Sequence, residues 1–255
     1  MGVDLHTRAG IALVAMALGA GCGLAPARRP PEPLEAATPP SAAGVAAEAE
    51  ALPVVGTEHL RRLQAHPDVA ARVAHMLGRG RITLRTSLVR SVDYVPMIER
   101  ELEEVGVPTE LAYLPMVESR FLPNAVGRRA VGLWQFTRST ARLYGLTVNR
   151  KVDERRDPHK STRAAARYLR DLYDQFESWD LALAAYNAGP GRVRRALRRR
   201  PEASFFELAQ HRLLPPITRG YVPKVLAISI IGPSPEQFGV ELARAPGGSR
   251  RRARS

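Results

Sequence analysis

Beyond residue 91 the chain is a series of helical patterns interrupted by glycine and proline, and this arrangement limits the fold more than any other feature. Apolar residues recur at every third or fourth position, which is typical of helices with one buried face. We find no regular alternation long enough for a useful strand, apart from short hairpin pieces near residues 146–148. The sequence therefore predicts an all-α, α-rich fold, with a single domain over residues 91–232.

Glycine, proline and capping residues mark the ends of the predicted helices. One helix is expected after Asp157, with Ser161 or Thr162 as its cap, and another from its cap Asp180 to residue 188. The others are expected at residues 94–104, 109–120, 139–144, 192–200 and 218–231.

The N-terminus has the composition of a secretion signal. Residues 9–21 are small and apolar, too few for a membrane-spanning helix of ~20 residues but enough for the core of a signal peptide. The stretch ends at Cys22 in a sequence that resembles a bacterial lipoprotein cleavage box, although Gly19 stands where an aliphatic residue is usual. We expect residues 1–22 to be a signal peptide and Cys22 to carry lipid; an ordinary secretory signal cut nearby is the alternative.

Three further segments differ in composition from the predicted domain. Residues 23–53 are rich in Ala, Pro and Glu without apolar periodicity, so we expect a disordered tether. Residues 54–90 are amphipathic and predict an accessory helical region packed against the main domain. Residues 233–255 end in an arginine-rich run and predict a disordered basic tail.

The basic composition restricts the class of partner. The formal net charge is +13 and the pI is near 10.8, which attracts polyanions such as nucleic acid, acidic lipid or a carboxylate-bearing cell wall. The sequence has no helix-turn-helix, zinc-finger or RNA-binding motif, so basic charge alone does not indicate nucleic acid. One cysteine and scattered histidines provide no metal-ligand spacing, and we expect neither a metal nor a cofactor.

One carboxylate stands on an apolar helical stripe. Leu111, Leu114 and Glu118 lie at positions i, i+3 and i+7, so they share a helix face. Apolar neighbours would remove water from the carboxyl and raise its pKa, because burial disfavours the charged form. A carboxylic acid that stays protonated near neutral pH can donate a proton to a glycosidic oxygen. A glutamate at a helix end, turned toward water, is the alternative.

Four short motifs follow one another in the order of a known family. They lie at residues 118–121 (ESRF), 132–136 (GLWQF), 185–189 (AYNAG) and 221–224 (YVPK). Together they resemble the motifs of the lytic transglycosylases, goose-lysozyme-like enzymes that cleave peptidoglycan, in the form found in the membrane-bound D type. The resemblance spans roughly residues 93–231, a little over half of the chain.

The resemblance implies a lysozyme-like fold and a reaction on the glycan strands of peptidoglycan. Glu118 would protonate the oxygen between N-acetylmuramic acid (MurNAc) and N-acetylglucosamine (GlcNAc), and the substrate's acetamido oxygen could stabilise the cationic sugar. Glu118 would then accept the proton of the muramyl C6 hydroxyl, which closes a 1,6-anhydro ring. A muramidase-type hydrolase of the same fold and an inactive wall-binding lipoprotein are the alternatives.

Ordinary glycosidases use two carboxylates, but we identify no second acid in an apolar setting. Asp153, Glu154 and Asp157 lie in an arginine-rich turn, and Asp180 resembles a helix cap. A single carboxylate suits a mechanism in which the substrate itself supplies the nucleophile.

Residues of the first two motifs have expected roles in substrate binding. Ser119 would orient the carboxyl or an acetamido group, with a helix-terminal cap as the alternative. Gln135 can both donate and accept hydrogen bonds, which suits sugar groups. Gly132 lets backbone approach the saccharide closely. Trp134 offers an apolar ring to a sugar face, with a core position as the alternative.

The last two motifs supply two tyrosines and an amide to the predicted site. Tyr186 would hydrogen-bond the catalytic carboxyl or the ring-forming intermediate, and Asn187 would hold the adjacent loop. Tyr221 resembles the family's late cleft tyrosine, with packing beneath its helix as the alternative.

The expected partners are glycan strands and, through the lipid anchor, a membrane. Gly23 follows Cys22 where an aspartate would mark inner-membrane retention. We therefore expect a monomer on the periplasmic face of the cell envelope, anchored in the outer membrane.

Overall fold

The structure, a computed structural model, describes residues 65–242, which fall within one compact unit. The predicted signal peptide, Cys22, the tether and the end of the basic tail lie outside the described residues. Between residues 65 and 242, every helix is too short or too polar to cross a membrane.

The described chain is mostly α-helical, which confirms the predicted fold class. The helices are α1 Pro67–Leu77, α2 Arg81–Ser91, α3 Val95–Glu103, α4 Leu114–Ser119, α5 Arg138–Leu143, α6 Pro158–Phe176, α7 Trp179–Ala188, α8 Pro190–Arg199, α9 Phe205–Gln210 and α10 Pro216–Ile231. Short 3-10 helices span Thr109–Tyr113, Glu154–Arg156 and Pro235–Phe238.

A small antiparallel sheet lies elsewhere than the predicted hairpin pieces. Strands β1 (Ala130–Val131) and β2 (Phe136–Thr137) pair with Ala130 opposite Thr137. Of residues 146–148, only Val148 pairs, in an isolated bridge to Asp153. Strands of two residues are too short to show the alternation on which a sequence prediction relies.

Two predicted helix caps are wrong. Asp157 itself caps α6 by accepting a hydrogen bond from the Lys160 amide at 3.0 Å, whereas Ser161 and Thr162 are buried inside the helix. Ser178 caps α7 through the Leu181 amide, and the predicted cap Asp180 lies in the first turn. In both cases the cap lies earlier in the sequence than predicted. Ser, Thr and Asp are all favoured as caps, and acids are also favoured in the first turn, so residue type alone does not identify the cap.

The predicted helix over residues 109–120 is two elements. A 3-10 helix runs from Thr109 to Tyr113, and α4 begins at Leu114 with Pro115 in its first turn. Pro115 lacks an N–H and its ring would collide with the carbonyl four residues earlier, so one continuous α-helix is disfavoured there. The break places Glu118 on a short helix of its own.

Helices α1 and α2 belong to the same core as the rest of the described chain. Val69 and Met76 of α1 and Leu84 of α2 are buried in one continuous apolar cluster with Ile228 of α10. Helix α1 packs against both α2 and α10. The extent of the accessory region stays a prediction, but its helices within the described range help to build the core around α10.

The folded chain continues past Gly232, where the prediction places the start of a disordered tail. The 3-10 helix Pro235–Phe238 follows, and Val240 is buried against the core. Arg81 donates a hydrogen bond to the Gly239 carbonyl, and Arg85 Nε donates to the Glu241 carbonyl at 3.1 Å. The arginines of α2 thus hold the C-terminal segment through backbone acceptors, which a composition-based prediction cannot detect.

Candidate active site

Glu118 lies in the last turn of α4, which ends abruptly after Ser119. The next two residues, Arg120 and Phe121, both have left-handed backbone conformations, with φ of 56° and 57°. A positive φ is rare for a bulky residue, and such strain persists only where the surroundings enforce it. Here Phe121 is buried and stacks on Tyr94 with ring centroids 6.4 Å apart. The burial of Phe121 therefore fixes the direction of the chain immediately after the carboxylate.

Ser119 connects this helix end to the second motif. Its hydroxyl donates to the Leu133 carbonyl at 2.8 Å and accepts from the Leu122 amide at 3.2 Å. These contacts are to backbone and not to the Glu118 carboxyl, so the structure supports the capping alternative for Ser119. Its effect on the site is to hold α4 against the turn that carries Gln135.

Gly132 is required by protein packing. Its φ is +91°, and a Cβ at this position would stand 1.8 Å from the Arg155 carbonyl oxygen. The glycine therefore allows two backbone segments to meet, which differs from the predicted close approach to a saccharide.

Gln135 lies on the cleft side of the same turn with a positive φ of 49°. Its Nε2 donates to the Gly132 carbonyl at 2.9 Å and to the Ala125 carbonyl at 3.4 Å. These bonds fix the orientation of the amide, so that the side-chain oxygen lies beside Gly127. Gln135 therefore presents an ordered acceptor at the cleft wall, where the sequence predicted it.

A cleft of about 510 Å³ opens beside Glu118. Its lining includes Glu118, Gln135 and the loop around Val126, together with His75 of α1 and Thr83 of α2. Among the described residues that line this cleft, Glu118 is the only acid. The sequence did not connect residues 54–90 with the site, because their position depends on tertiary packing and no motif marks it.

The Glu118 carboxyl has one direct hydrogen-bond donor. The Tyr221 hydroxyl donates to Oε1 at 2.5 Å, across a sequence separation of 103 residues. Burial raises the pKa of Glu118 from an ordinary 4.5 to about 7, against the opposing effects of the Tyr221 hydrogen bond and the Lys224 charge. A sizeable fraction of this carboxyl is therefore protonated at neutral pH, as a general acid requires.

Lys224 is a site residue to which the sequence assigned no role. It lies one helical turn after Tyr221 on α10 and lines the cleft beside Glu118. Burial lowers the pKa of Lys224, and the neighbouring charges of Arg120 and Arg72 lower it further, whereas Glu118 opposes this. The spacing i, i+3 from Tyr221 was the available signal, since such residues share a helix face.

Tyr186 does not make the predicted contact with Glu118. Its hydroxyl donates to the Trp134 carbonyl at 2.8 Å, and its ring packs on Tyr168 at 5.3 Å. Burial and the nearby charge of Glu118 raise the pKa of Tyr186 well above its usual value. Tyr186 therefore supports the Trp134–Gln135 turn from beneath and remains a neutral phenol.

Trp134 is a core residue and not a sugar platform. Its side chain is 0% exposed, and Nε1 donates to the Thr162 hydroxyl at 2.9 Å. The alternative of a core tryptophan is thus the one that the structure supports. A sequence cannot distinguish these positions, because a tryptophan is favoured in either.

Asn187 joins two helices next to the site. Its Oδ1 accepts a hydrogen bond from the Thr218 hydroxyl at 2.9 Å, which links α7 to the first turn of α10. This bond agrees with a holding role for the amide and fixes the helix that carries Tyr221 and Lys224.

The other acids considered from the sequence have structural partners. Asp153 accepts two hydrogen bonds from Arg155, at 2.8 and 2.7 Å. Glu154 contacts Lys160 Nζ at 2.5 Å and accepts from the Thr147 amide at 2.7 Å. These partners lower the pKa of both acids.

Residues 96–208 match the protein family described as the Transglycosylase SLT domain. The match covers less than half of the chain and is to the family that the four motifs resemble, so residues 96–208 are similar to an SLT transglycosylase domain.

Similar proteins include lytic transglycosylases. The chain is 39% identical over 170 residues to membrane-bound lytic murein transglycosylase D of Escherichia coli, which covers 64% of this chain and 37% of that protein. It is 36% identical over 110 residues to membrane-bound lytic murein transglycosylase F of Maricaulis maris, which covers 39% of this chain and 23% of that protein. A solved structure of an inactive variant of lytic transglycosylase Slt from Pseudomonas aeruginosa has a TM-score of 0.49 and 21% identity, and covers 72% of this chain and 38% of that one. The chain thus spans well under half the length of these relatives.

Proposed function

We propose that this protein is a peptidoglycan lytic transglycosylase that cleaves the β-1,4 bond between MurNAc and GlcNAc without water. The observation that carries this proposal is the state of Glu118, a single cleft carboxyl whose pKa of about 7 lets it exchange a proton near neutral pH. The SLT domain match and the lytic transglycosylases among the relatives support the same conclusion.

In the proposed reaction, Glu118 first donates its proton to the glycosidic oxygen, and the bond from MurNAc C1 to that oxygen breaks. The acetamido oxygen of the same sugar stabilises the positive charge at C1. The C6 hydroxyl oxygen then bonds to C1, and its proton passes to the Glu118 carboxylate. Atoms and charges balance without water, and the enzyme returns to its starting protonation state.

Tyr221 and Lys224 support the ionised stage of this cycle. Both lower the pKa of Glu118, so each stabilises the carboxylate that exists between the two proton transfers. Desolvation favours the protonated form that begins the cycle. A pKa close to the ambient pH lets one group serve as acid and then as base.

The digestion products test this proposal. Mass spectrometry of muropeptides released from purified peptidoglycan should show 1,6-anhydro ends, which are lighter than hydrolytic ends by one water. Hydrolytic ends would instead establish the muramidase-type alternative of the same fold. Failure of the folded protein to release muropeptides would favour the inactive wall-binding alternative.

We also propose that the protein acts from a lipid anchor at Cys22 on the periplasmic face of the outer membrane, as a monomer on a flexible tether. The lipoprotein-like box supports the anchor, and the names of the two relatives describe membrane-bound enzymes. Several acyl chains on one terminus would give stable attachment.

Labelling cells with a clickable fatty acid tests the anchor. Wild type should take up the label and fractionate with the outer membrane, whereas Cys22→Ser should lose both properties. A wild-type protein that stays unlabelled in the soluble periplasmic fraction would support the secreted alternative.

A further inference from the structure

A second cavity, of about 890 Å³, lies in the groove between α1 and α10 and is larger than the cleft at Glu118. Residues in the N-terminal halves of both helices line it, together with residues of α9. Its charged and aromatic lining residues are His66, Asp68, Arg72, Phe206, Glu207 and Arg219.

This cavity and the catalytic cleft follow each other along the same pair of helices. On α1, Arg72 lines the cavity and His75 lines the cleft. On α10, Pro223 lines the cavity and Lys224 lines the cleft. The charge of Arg72 in the cavity lowers the pKa of Lys224 in the cleft, so the two spaces lie close together. This proximity places the cavity within reach of a long substituent on a ligand in the cleft.

One of the two arginines in the cavity has a buried hydrogen-bond donor without a partner, and the other is exposed. The Nε atom of Arg219 is buried, and within residues 65–242 it has no hydrogen-bond partner. Arg72 lies against the backbone of Gly220, and no described carboxylate pairs with its guanidinium. A buried donor without a partner is unfavourable, and guanidinium groups bind carboxylates with matching geometry. The cavity is therefore suited to an anionic ligand.

Two acids, Asp68 and Glu207, also line the cavity, but they do not prevent it from binding an anion. Glu207 is engaged in the cap of α9, where its Oε2 accepts from the Ser204 amide and hydroxyl, each at 2.8 Å. Asp68 lies in the first turn of α1, where the helix dipole stabilises a negative charge. Its carboxylate can accept hydrogen bonds from the amides of a bound peptide.

An apolar surface completes the cavity. His66 stacks on Phe206 with ring centroids 3.8 Å apart and an interplanar angle of 27°. This pair joins the N-terminus of α1 to α9 and gives a flat face next to the two arginines. A ligand with both carboxylates and short aliphatic side chains would match the donors and this face.

We propose that this cavity binds the carboxylates of the peptide stem attached to the lactyl group of a MurNAc residue in the cleft. The inference rests on the proposed function, because that function places a peptide-bearing sugar strand beside Glu118. Arg72 and Arg219 bind the stem carboxylates, and the His66–Phe206 face contacts the aliphatic side chains. The enzyme therefore distinguishes peptide-bearing strands from bare glycan.

The experiment compares two substrates: intact peptidoglycan fragments and the same glycan strands stripped of peptide by an amidase. Wild type should show a higher kcat/KM on the peptide-bearing fragments. Arg219→Gln and Arg72→Gln should each lower that preference by about tenfold, chiefly through KM, while activity on bare strands stays within about twofold. The control Arg194→Gln removes the same charge from the exposed face of α8 and should leave the preference unchanged.

The outcomes separate this proposal from the proposed function. Equal wild-type rates on both substrates, or an unchanged preference in both cavity variants, would overturn the peptide-stem site while leaving the transglycosylase intact. A wild-type protein inactive on both substrates would instead overturn the proposed function. Arg72 is exposed, so Arg72→Gln decides the question even if Arg219→Gln does not fold, as judged by thermal unfolding.

Discussion

The cleft around Glu118 and the loop over residues 149–157 both place carboxylates near positive charges, but the pKa of the carboxylate is raised in the cleft and lowered in the loop. In the loop, Arg155 and Lys160 contact Asp153 and Glu154 directly and lower the pKa of each. In the cleft, burial outweighs the charge of Lys224 and raises the pKa of Glu118 to about 7. The balance between direct pairing and desolvation thus separates an acid that maintains structure from one that can exchange a proton.

The largest expected effect is the loss of activity in Glu118→Gln. The amide keeps the shape of the side chain but cannot transfer a proton, so turnover of peptidoglycan should fall by at least ~10³-fold. The same exchange in the loop, Glu154→Gln, is the matched control and should retain turnover within about threefold. Muropeptide release from purified proteins measures both. If Glu154→Gln lost as much activity as Glu118→Gln, the claim that only the cleft carboxyl transfers a proton would be wrong.

Substitution of an acid in the loop should lower the stability of the fold, whereas substitution of Glu118 in the cleft should lower activity. Asp153→Asn leaves Arg155, which is 6% exposed, with a weaker partner, so the free energy of unfolding should fall by about 2 kcal/mol at pH 7. The pKa of Asp153 is lowered by folding, so its contribution is present above its unfolded pKa and is lost as pH falls through the folded value. Urea unfolding at pH 7 and at pH 3 measures the loss. An equal loss at both pH values would show that the ion pair is not responsible.

Glu118→Gln should have the opposite effect on stability. Folding raises the pKa of Glu118 from 4.5 to about 7, so the fold loses stability as pH rises from about 4.5 to about 7 and the carboxyl ionises. The variant should therefore be more stable than wild type by about 3 kcal/mol at pH 8, with the gain shrinking to zero near pH 4. Urea unfolding across this range provides the comparison. A gain that does not depend on pH would mean that Glu118 is not desolvated.

The smallest expected effect tests how far Lys224 counteracts desolvation. Lys224→Gln removes a charge that lowers the pKa of Glu118, so that pKa should rise. Because the protonated acid starts the proposed reaction, kcat/KM should fall above this pKa, and the alkaline limb of its pH profile should move to higher pH by about half a unit. The exposed Lys151→Gln serves as the control of the same residue type. A limb that moves equally in both variants would point to overall charge as the cause.

The sequence predicted the parts of the site that depend on local pattern. The stripe ending at Glu118 predicted a buried carboxyl, and the structure places Gln135 and Tyr221 beside it. The two tyrosines could not be assigned their partners, since the choice between Tyr186 and Tyr221 depends on how α7 and α10 pack. Tyr221 makes the contact with Glu118, and Tyr186 bonds the Trp134 carbonyl instead.

Other features of the site arise from long-range packing that no local pattern records. Arg120 and Phe121 have left-handed backbone conformations, which glycine usually adopts. The core that encloses Phe121 enforces them. His75 and Thr83 come from a region without a motif and reach the cleft only because α1 packs on α10. The 3-10 helix after Gly232 is too short for helical periodicity to predict.

The bonds from α2 to the C-terminal segment have a consequence for the order in which the domain can fold. Arg81 and Gly239 are separated by 158 residues, and Arg85 and Glu241 by 156. The same helix carries Thr83 of the cleft wall. Contacts so distant in sequence form late, because the ends of a long loop must meet before any energy is gained. During synthesis, α2 therefore lacks these two hydrogen bonds until almost all of the described residues are present. Proteolytic removal of the residues after α10 would break the same two hydrogen bonds in the folded protein.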